Sequence, residues 1–333
     1  MVQSRVVFFG TPEITLPTLE VLNSLEGFSL VAVVAQPDRP KGRNLHLEPP
    51  PSKQFAERHG IPLFQPAKAR DPVFVQQLAA LQPDVAVVLA YGQILPQALL
   101  DVPRCGCLNV HTSLLPRHRG AAPIQWAIAL GDAITGITLM KMDAGMDTGP
   151  IVATVETPIC PHETGASLHD RLAMLGAELV RANLASWVRG EISATPQPSG
   201  GVTHARKIVK EDGLVDWSRP AVEVDQRIRA FYPWPGAQTT WNESGNSRML
   251  KLWECQPIES ISDAPGRVVT SGNDGLVVAC GSGALRIMQL QREGGKRLPA
   301  GAFLAGNPLP PGTMLGQGRN EQMYSQIPPG TVI

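Results

Sequence analysis

From the N-terminus to residue 89 the chain alternates unbroken apolar runs with stretches whose apolar residues recur every three or four positions. Arg5–Phe9 (RVVFF), Leu30–Ala35 (LVAVVA) and Val85–Leu89 (VAVVL) are of the first kind, the pattern of strands covered on both faces. Between them, Gly10-Thr11-Pro12 makes a turn and Leu16–Leu22 has helical spacing. Pro50-Pro51-Ser52 opens a helix over Gln54–His59 that Gly60 stops, and Asp71-Pro72 opens another that reaches about Leu81. The alternation predicts an α/β domain with a Rossmann-like, mostly parallel sheet. Ligands of such sheets gather at the carboxyl ends of the strands, where Tyr91-Gly92 and Asn109–His111 fall.

From Thr135 the pattern changes. Gly136–Met142 and Ile151–Val155 read as strands bracketing the loop Asp143–Gly149 (DAGMDTG), and Gly165–Val188 reads as a long helix. Gly190–Gly201 (GEISATPQPSGG) is rich in small residues and proline, as an interdomain linker would be. Beyond it, short β-like pieces (Met249–Trp253, Gly266–Val269, Gly275–Ala279, Ala284–Leu290) are separated by glycine turns, predicting a small all-β barrel or sandwich. The expected division is a domain over 1–189, a linker over 190–206, a β domain over 207–316 and a polar tail over 317–333.

Composition narrows the function. Of 333 residues 43% are apolar, and 29 Lys and Arg balance 29 Asp and Glu, so no global field favours nucleic acid or an anionic membrane. A polyanionic partner must be met by local basic patches. The five cysteines lack zinc-site spacing and read as reduced structural thiols. Neither a signal peptide nor a membrane-length apolar run is expected, which points to a cytoplasmic protein. The first strand ends in Gly-Thr-Pro rather than a three-glycine turn, and Walker, nucleophile-elbow and metalloprotease patterns are missing from the sequence. Covalent, metal and nicotinamide mechanisms are disfavoured, and no metal is expected.

What remains is Asn109-Val-His111 and, across the later loop, Asp147. Residues two apart on an extended segment point to one side. An amide donor beside an imidazole suits a carbonyl oxygen turning into an oxyanion, and a carboxylate near the imidazole would fix its tautomer. The set fits acyl transfer to an amine. Taken singly, the same residues read more readily as a satisfied core histidine and a turn-capping aspartate.

The surrounding blocks weigh in. FFGTPEITLPTLEVL, AQPDRPKGR, VLAYGQILP, NVHTSLLPRHRGAAPIQWAI, MDAGMDTGPI, KIVKEDGLVDW and IRAFYPWPGA stand in this order along nearly the whole chain, and together they resemble the methionyl-tRNA formyltransferase family. The resemblance implies a formyltransferase-fold domain followed by an OB-like β-barrel. It implies formyl transfer from 10-formyltetrahydrofolate to the α-amine of initiator methionyl-tRNA, by direct amine attack. Asn109, His111 and Asp147 match the family's catalytic residues. Ser113, Leu114, Leu115 and Pro116 match its folate-binding block, and Leu89, Ala90, Tyr91, Gly92 and Met142 should wall the pterin. Arg43, with Lys41, sits in a basic loop expected to meet the tRNA acceptor end; Lys207 and Lys210 are expected on the tRNA face of the β domain. The loop continues Asn44-Leu-His-Leu-Glu48, less basic and less glycine-rich than the family pattern. Trp234, between Pro233 and Pro235, is expected as a packing anchor at the domain junction, and the protein is expected to be a monomer without a membrane partner. Rival readings keep the chemistry but change the acceptor to an amino sugar nucleotide, glycinamide ribonucleotide or water, or make the chain a non-catalytic folate- or RNA-binding module.

Overall fold

The apolar runs all become strands. The computed structural model describes residues 3–41, 46–243 and 245–316. These form two compact units, one built from segments 1–120, 134–158 and 169–204, the other from 121–133, 159–168 and 205–333.

The first unit is built on seven strands: β1 (Ser4–Gly10), β2 (Phe28–Val34), β3 (Leu63–Phe64), β4 (Val85–Leu89), β5 (Cys107–His111), β6 (Ile134–Lys141) and β7 (Ile151–Pro158). Their order is β7-β6-β5-β4-β1-β2-β3. The five from β5 to β3 run parallel, while β6 and β7 are antiparallel additions. Val6–Phe9 and Val85–Val87 have no solvent exposure at all, which is why β1 and β4 carry no polar alternation. Helices Leu16–Ser24, Pro51–His59, Pro72–Ala80 and Gly165–Val188 match the predicted periodic stretches; Asp71 caps the third by accepting from the Val73 amide at 2.9 Å. The sequence pattern did not indicate the short hairpin of Arg39–Lys41 with His46–Glu48.

The second unit holds β8 (Ala237–Glu243), β9 (Asn246–Ile258), β10 (Val268–Gly272), β11 (Gly275–Ala279), β12 (Ala284–Arg292) and β13 (Arg297–Pro299). All are antiparallel, in the order β8-β9-β12-β11-β10, with β13 beside β12. Residues 313–316 join the two edges of this sheet: Val268 donates to the Thr313 carbonyl at 2.8 Å, and Gly316 to that of Thr240 at 2.8 Å. The sheet thus closes into a barrel around Trp217, Leu250, Leu276, Leu285 and Phe303. The strand expected at Gly266–Val269 begins at Val268; Gly266 turns the chain at φ +85° against the Leu315 carbonyl. Trp234 is corrected by the structure: at 54% exposure it is no packing anchor. Within the second unit, Trp126 is buried edge-on to Phe231 at 5.9 Å, with the Arg206 guanidinium 4.9 Å from its ring.

Among the described residues no helix is long and apolar enough to cross a membrane. The Cys107 and Cys280 thiols are pushed up to about 12 by burial, so neither ionises near neutrality.

Candidate active site

Strand β5 delivers Asn109 and His111 to the carboxyl end of the parallel sheet on one face, as their spacing requires. The loop between β6 and β7 brings Asp147 to both. Asn109 Nδ2 donates to Asp147 Oδ1 at 3.2 Å, and His111 Nδ1 lies 3.6 Å from the same oxygen. Asp147 Oδ2 accepts the Gly120 amide at 2.7 Å.

The tautomer of His111 follows from its other nitrogen. Nε2 lies 2.9 Å from the His118 carbonyl, and a carbonyl can only accept, so Nε2 carries the proton. Nδ1 of the neutral ring is therefore a bare lone pair beside a carboxylate. A proton taken there would be stabilised at once by Asp147. The Asn109 amide uses one N–H on Asp147, which fixes its rotation and leaves the second for a ligand oxygen.

Burial lowers the His111 pKa below the ordinary 6.5, opposed in part by Asp147 and the His118 carbonyl. The folded chain then binds the proton less readily than the unfolded one. The contribution of His111 to stability is whole above pH 6.5 and is lost as pH falls below that value toward the folded pKa. An NMR titration of the ring protons, assigned with His111→Gln, is expected to give a midpoint below 6.5. A midpoint at or above it would contradict the geometry.

The loop that carries Asp147 is tightly held. Asp143 Oδ1 accepts from the Gly145 amide at 3.0 Å and from the Thr148 hydroxyl at 2.7 Å. Gln197 Nε2 donates to the carbonyls of Asp147 and Gly149, both at 2.8 Å, while Arg119 holds Gln197 Oε1. Asp147 itself has φ +53°, a conformation that aspartate enters more readily than most residues. Gln197 belongs to the stretch read as a linker, and nothing in its local sequence signals this contact. His118 and Gly120 were in the RHRG block, but act through backbone atoms.

The expected folate residues fall into two groups. Tyr91 and Met142 share an apolar cluster with Leu95, Leu99 and Cys107. At the end of β4, Ala90 and Gly92 take φ +49° and +86° and are exposed, offering backbone groups beside that cluster, as a flat heterocycle with polar edges requires. The Tyr91 hydroxyl is buried without a partner among the described residues, and burial raises its pKa to about 12. Leu89 is buried beneath them. In the other group, Ser113 is wholly buried with its hydroxyl on the Arg117 carbonyl at 2.7 Å, and the Leu115 amide donates to Thr138 Oγ1 at 3.0 Å. Leu115 is buried, while Leu114 and Pro116 are half-buried; the block holds the turn that presents the His118 carbonyl. Among the described residues no group of three or more His, Cys, Asp or Glu is placed to hold a metal. Arg43 and the side chain of Lys41 lie outside the described residues, and Lys207 and Lys210 are exposed in the second unit.

Comparisons with known proteins identify the family. Residues 4–184 match the formyl transferase model and 207–308 the formyl transferase C-terminal domain model. The chain is 49% identical, over 95% of its length and 98% of the relative's, to the methionyl-tRNA formyltransferase of Citrifermentans bemidjiense. Two solved structures share the fold at low identity. One is the Helicobacter canadensis N-formyltransferase in complex with folinic acid and dTDP-3-aminofucose, with TM-score 0.62, 14% identity, and coverage of 86% of this chain and 99% of that one. The other is HypX from Aquifex aeolicus in complex with tetrahydrofolic acid, with TM-score 0.59 and 19% identity over 91% of this chain; the match spans 47% of HypX. With both domain models matched in order and nearly half of all residues identical to that relative along the chain, the protein belongs to the methionyl-tRNA formyltransferase family.

Proposed function

We infer that the chain transfers the formyl group of 10-formyltetrahydrofolate to the α-amine of initiator methionyl-tRNA, in the cytoplasm. The observation that carries the chemistry is the convergence of the Asn109 amide and the bare Nδ1 of His111 on Asp147 Oδ1. The full-length likeness to methionyl-tRNA formyltransferases supports the acceptor.

As the amine attacks the formyl carbon, its oxygen gains charge and the free N–H of Asn109 donates to it. His111 Nδ1 takes the proton that the amine sheds, and the imidazolium so formed is held by Asp147. The same proton then passes to the folate nitrogen as its bond to the formyl carbon breaks. No external proton or oxidant is consumed. Tyr91, Met142 and the exposed backbone at Ala90 and Gly92 receive the pterin, and Ser113–Pro116 support the turn beside it. Residues 1–189 carry this chemistry. Residues 207–316, with Lys207 and Lys210 and the loop holding Lys41 and Arg43, serve the tRNA.

The test is formation of formylmethionyl-tRNA by the purified protein, with each acceptor offered separately. Transfer to methionyl-tRNA well above transfer to an amino sugar nucleotide or to water is expected. A preference for either alternative would overturn the acceptor and leave the site chemistry standing.

A further inference from the structure

A second concavity lies at the carboxyl ends of β1 and β2. It measures about 280 Å³ and is walled by proline rings, Pro12, Pro37 and Pro49 among them, with Glu13, Arg39 and Glu48 on its lining. Gln36, which follows β2, lines it too and is 93% buried, given a 7% residual exposure. Every polar atom of Gln36 but one is engaged. Its amide donates to Thr11 Oγ1 at 3.2 Å, its carbonyl accepts from Gln65 Nε2 at 2.9 Å, and its Oε1 accepts from Arg39 at 3.1 Å. Only Nε2 has no partner among the described residues. A buried donor left unpaired is costly, so a fold that keeps one calls for an explanation.

The cavity adjoins the segment that receives the pterin. Thr11 Oγ1 donates to the Tyr91 carbonyl at 3.1 Å, and a Cβ placed on Gly92 would lie 3.9 Å from Gln36 Cγ. A transfer between two bound partners needs two pockets at one sheet end. With the donor on the β4 side, the β1–β2 side is left for the acceptor. Charge narrows which acceptor. Among the described residues one arginine and two carboxylates line the cavity, a poor match for the diphosphate of a sugar nucleotide but a suitable one for an uncharged ribose ester bearing an amine.

We propose that this cavity seats the aminoacylated ribose at the 3′ end of the acceptor, with Gln36 Nε2 donating to one of its oxygens. This rests on the methionyl-tRNA reading above. The test uses the full chain as Gln36→Leu, which removes the donor at similar volume, and Gln36→Glu, which keeps an oxygen for Arg39 but replaces the donor. In both, kcat/KM for methionyl-tRNA is expected to fall about three- to tenfold, the equivalent of one hydrogen bond. The KM for 10-formyltetrahydrofolate should stay within about twofold in both. Affinity for tRNA lacking its terminal nucleoside should be unchanged. Unaltered acceptor kinetics, an equal rise in the donor KM, or equal weakening of truncated tRNA would each overturn the proposal. A wild-type chain that does not formylate methionyl-tRNA would instead remove the reading on which it rests.

Discussion

Asp147→Asn is expected to lower kcat for formyl transfer by about two to four orders of magnitude while leaving the KM for 10-formyltetrahydrofolate within about threefold. The substitution conserves shape and can keep an oxygen facing the Asn109 amide. What it removes is the charge 3.6 Å from His111 Nδ1, together with the acceptor for the Gly120 amide. That nitrogen must become positive during the reaction in a site where burial already disfavours the cation. Without the carboxylate, the proton of the attacking amine has no stabilised place to rest. The loss therefore falls on the step after both substrates are bound. Single-turnover rates at saturating donor and acceptor are the measurement. A rate within tenfold of wild type would show that Asp147 only braces its loop.

Gly149→Ala tests that loop from the other side. Gly149 is buried, and a Cβ there would sit 1.9 Å from the Lys141 carbonyl oxygen and 3.0 Å from its carbon. Both atoms are backbone of β6, so they cannot swing away as the end of a side chain would. The strand or the loop must move, and the loop is the softer. Asp147 is two residues upstream, and a displacement of about 1 Å at reacting groups costs roughly a hundredfold in rate. The expected result is a loss of about that size in kcat with a Tm lower by about 2–6 °C, from about 1–3 kcal/mol of overpacking. Gly200→Ala is the control, because nothing lies within 4 Å of its added Cβ; it should change neither quantity. Comparable activity in the two variants would mean that Asp147 tolerates a shifted loop.

How much of this was legible beforehand depends on which atoms do the work. Val85–Leu89 is a buried strand because its apolar run leaves no other solution, and the side-by-side placement of Asn109 and His111 follows from the two-residue period of a strand. The partners of the site were not legible for a different reason. His118 contributes a carbonyl and Gly120 an amide, atoms that every residue owns, so residue type carries no signal. Gln197 reaches Asp147 across 50 positions, and its own neighbourhood of proline, serine and glycine reads as a tether. Ser113 was singled out by the family resemblance alone, and what its hydroxyl does, fastening a turn through the Arg117 carbonyl, is again a contact to a backbone atom that residue type does not signal. Trp234 looked buried by type and is 54% exposed, whereas the aromatic residues that pack on each other within the second unit are Trp126 and Phe231, over a hundred positions apart. Gln36 could not have been singled out at all, since its significance lies in a partner it lacks.

The interleaving of the two units has a bearing on how such a chain can change over time. Helix Pro123–Ala129, with Trp126 edge-on to Phe231 and its indole N–H on the Arg206 carbonyl at 2.8 Å, belongs to the second unit although it is encoded amid the first. A recombination event joining the front half of one homologue to the back half of another would bring together a Trp126 face and a Phe231 face that had never packed on each other. The barrel is therefore not a cassette that one crossover can exchange. To be transplanted intact it must travel with two short inserts from far upstream, 121–133 and 159–168, so such chimaeras should succeed only between parents that share those inserts.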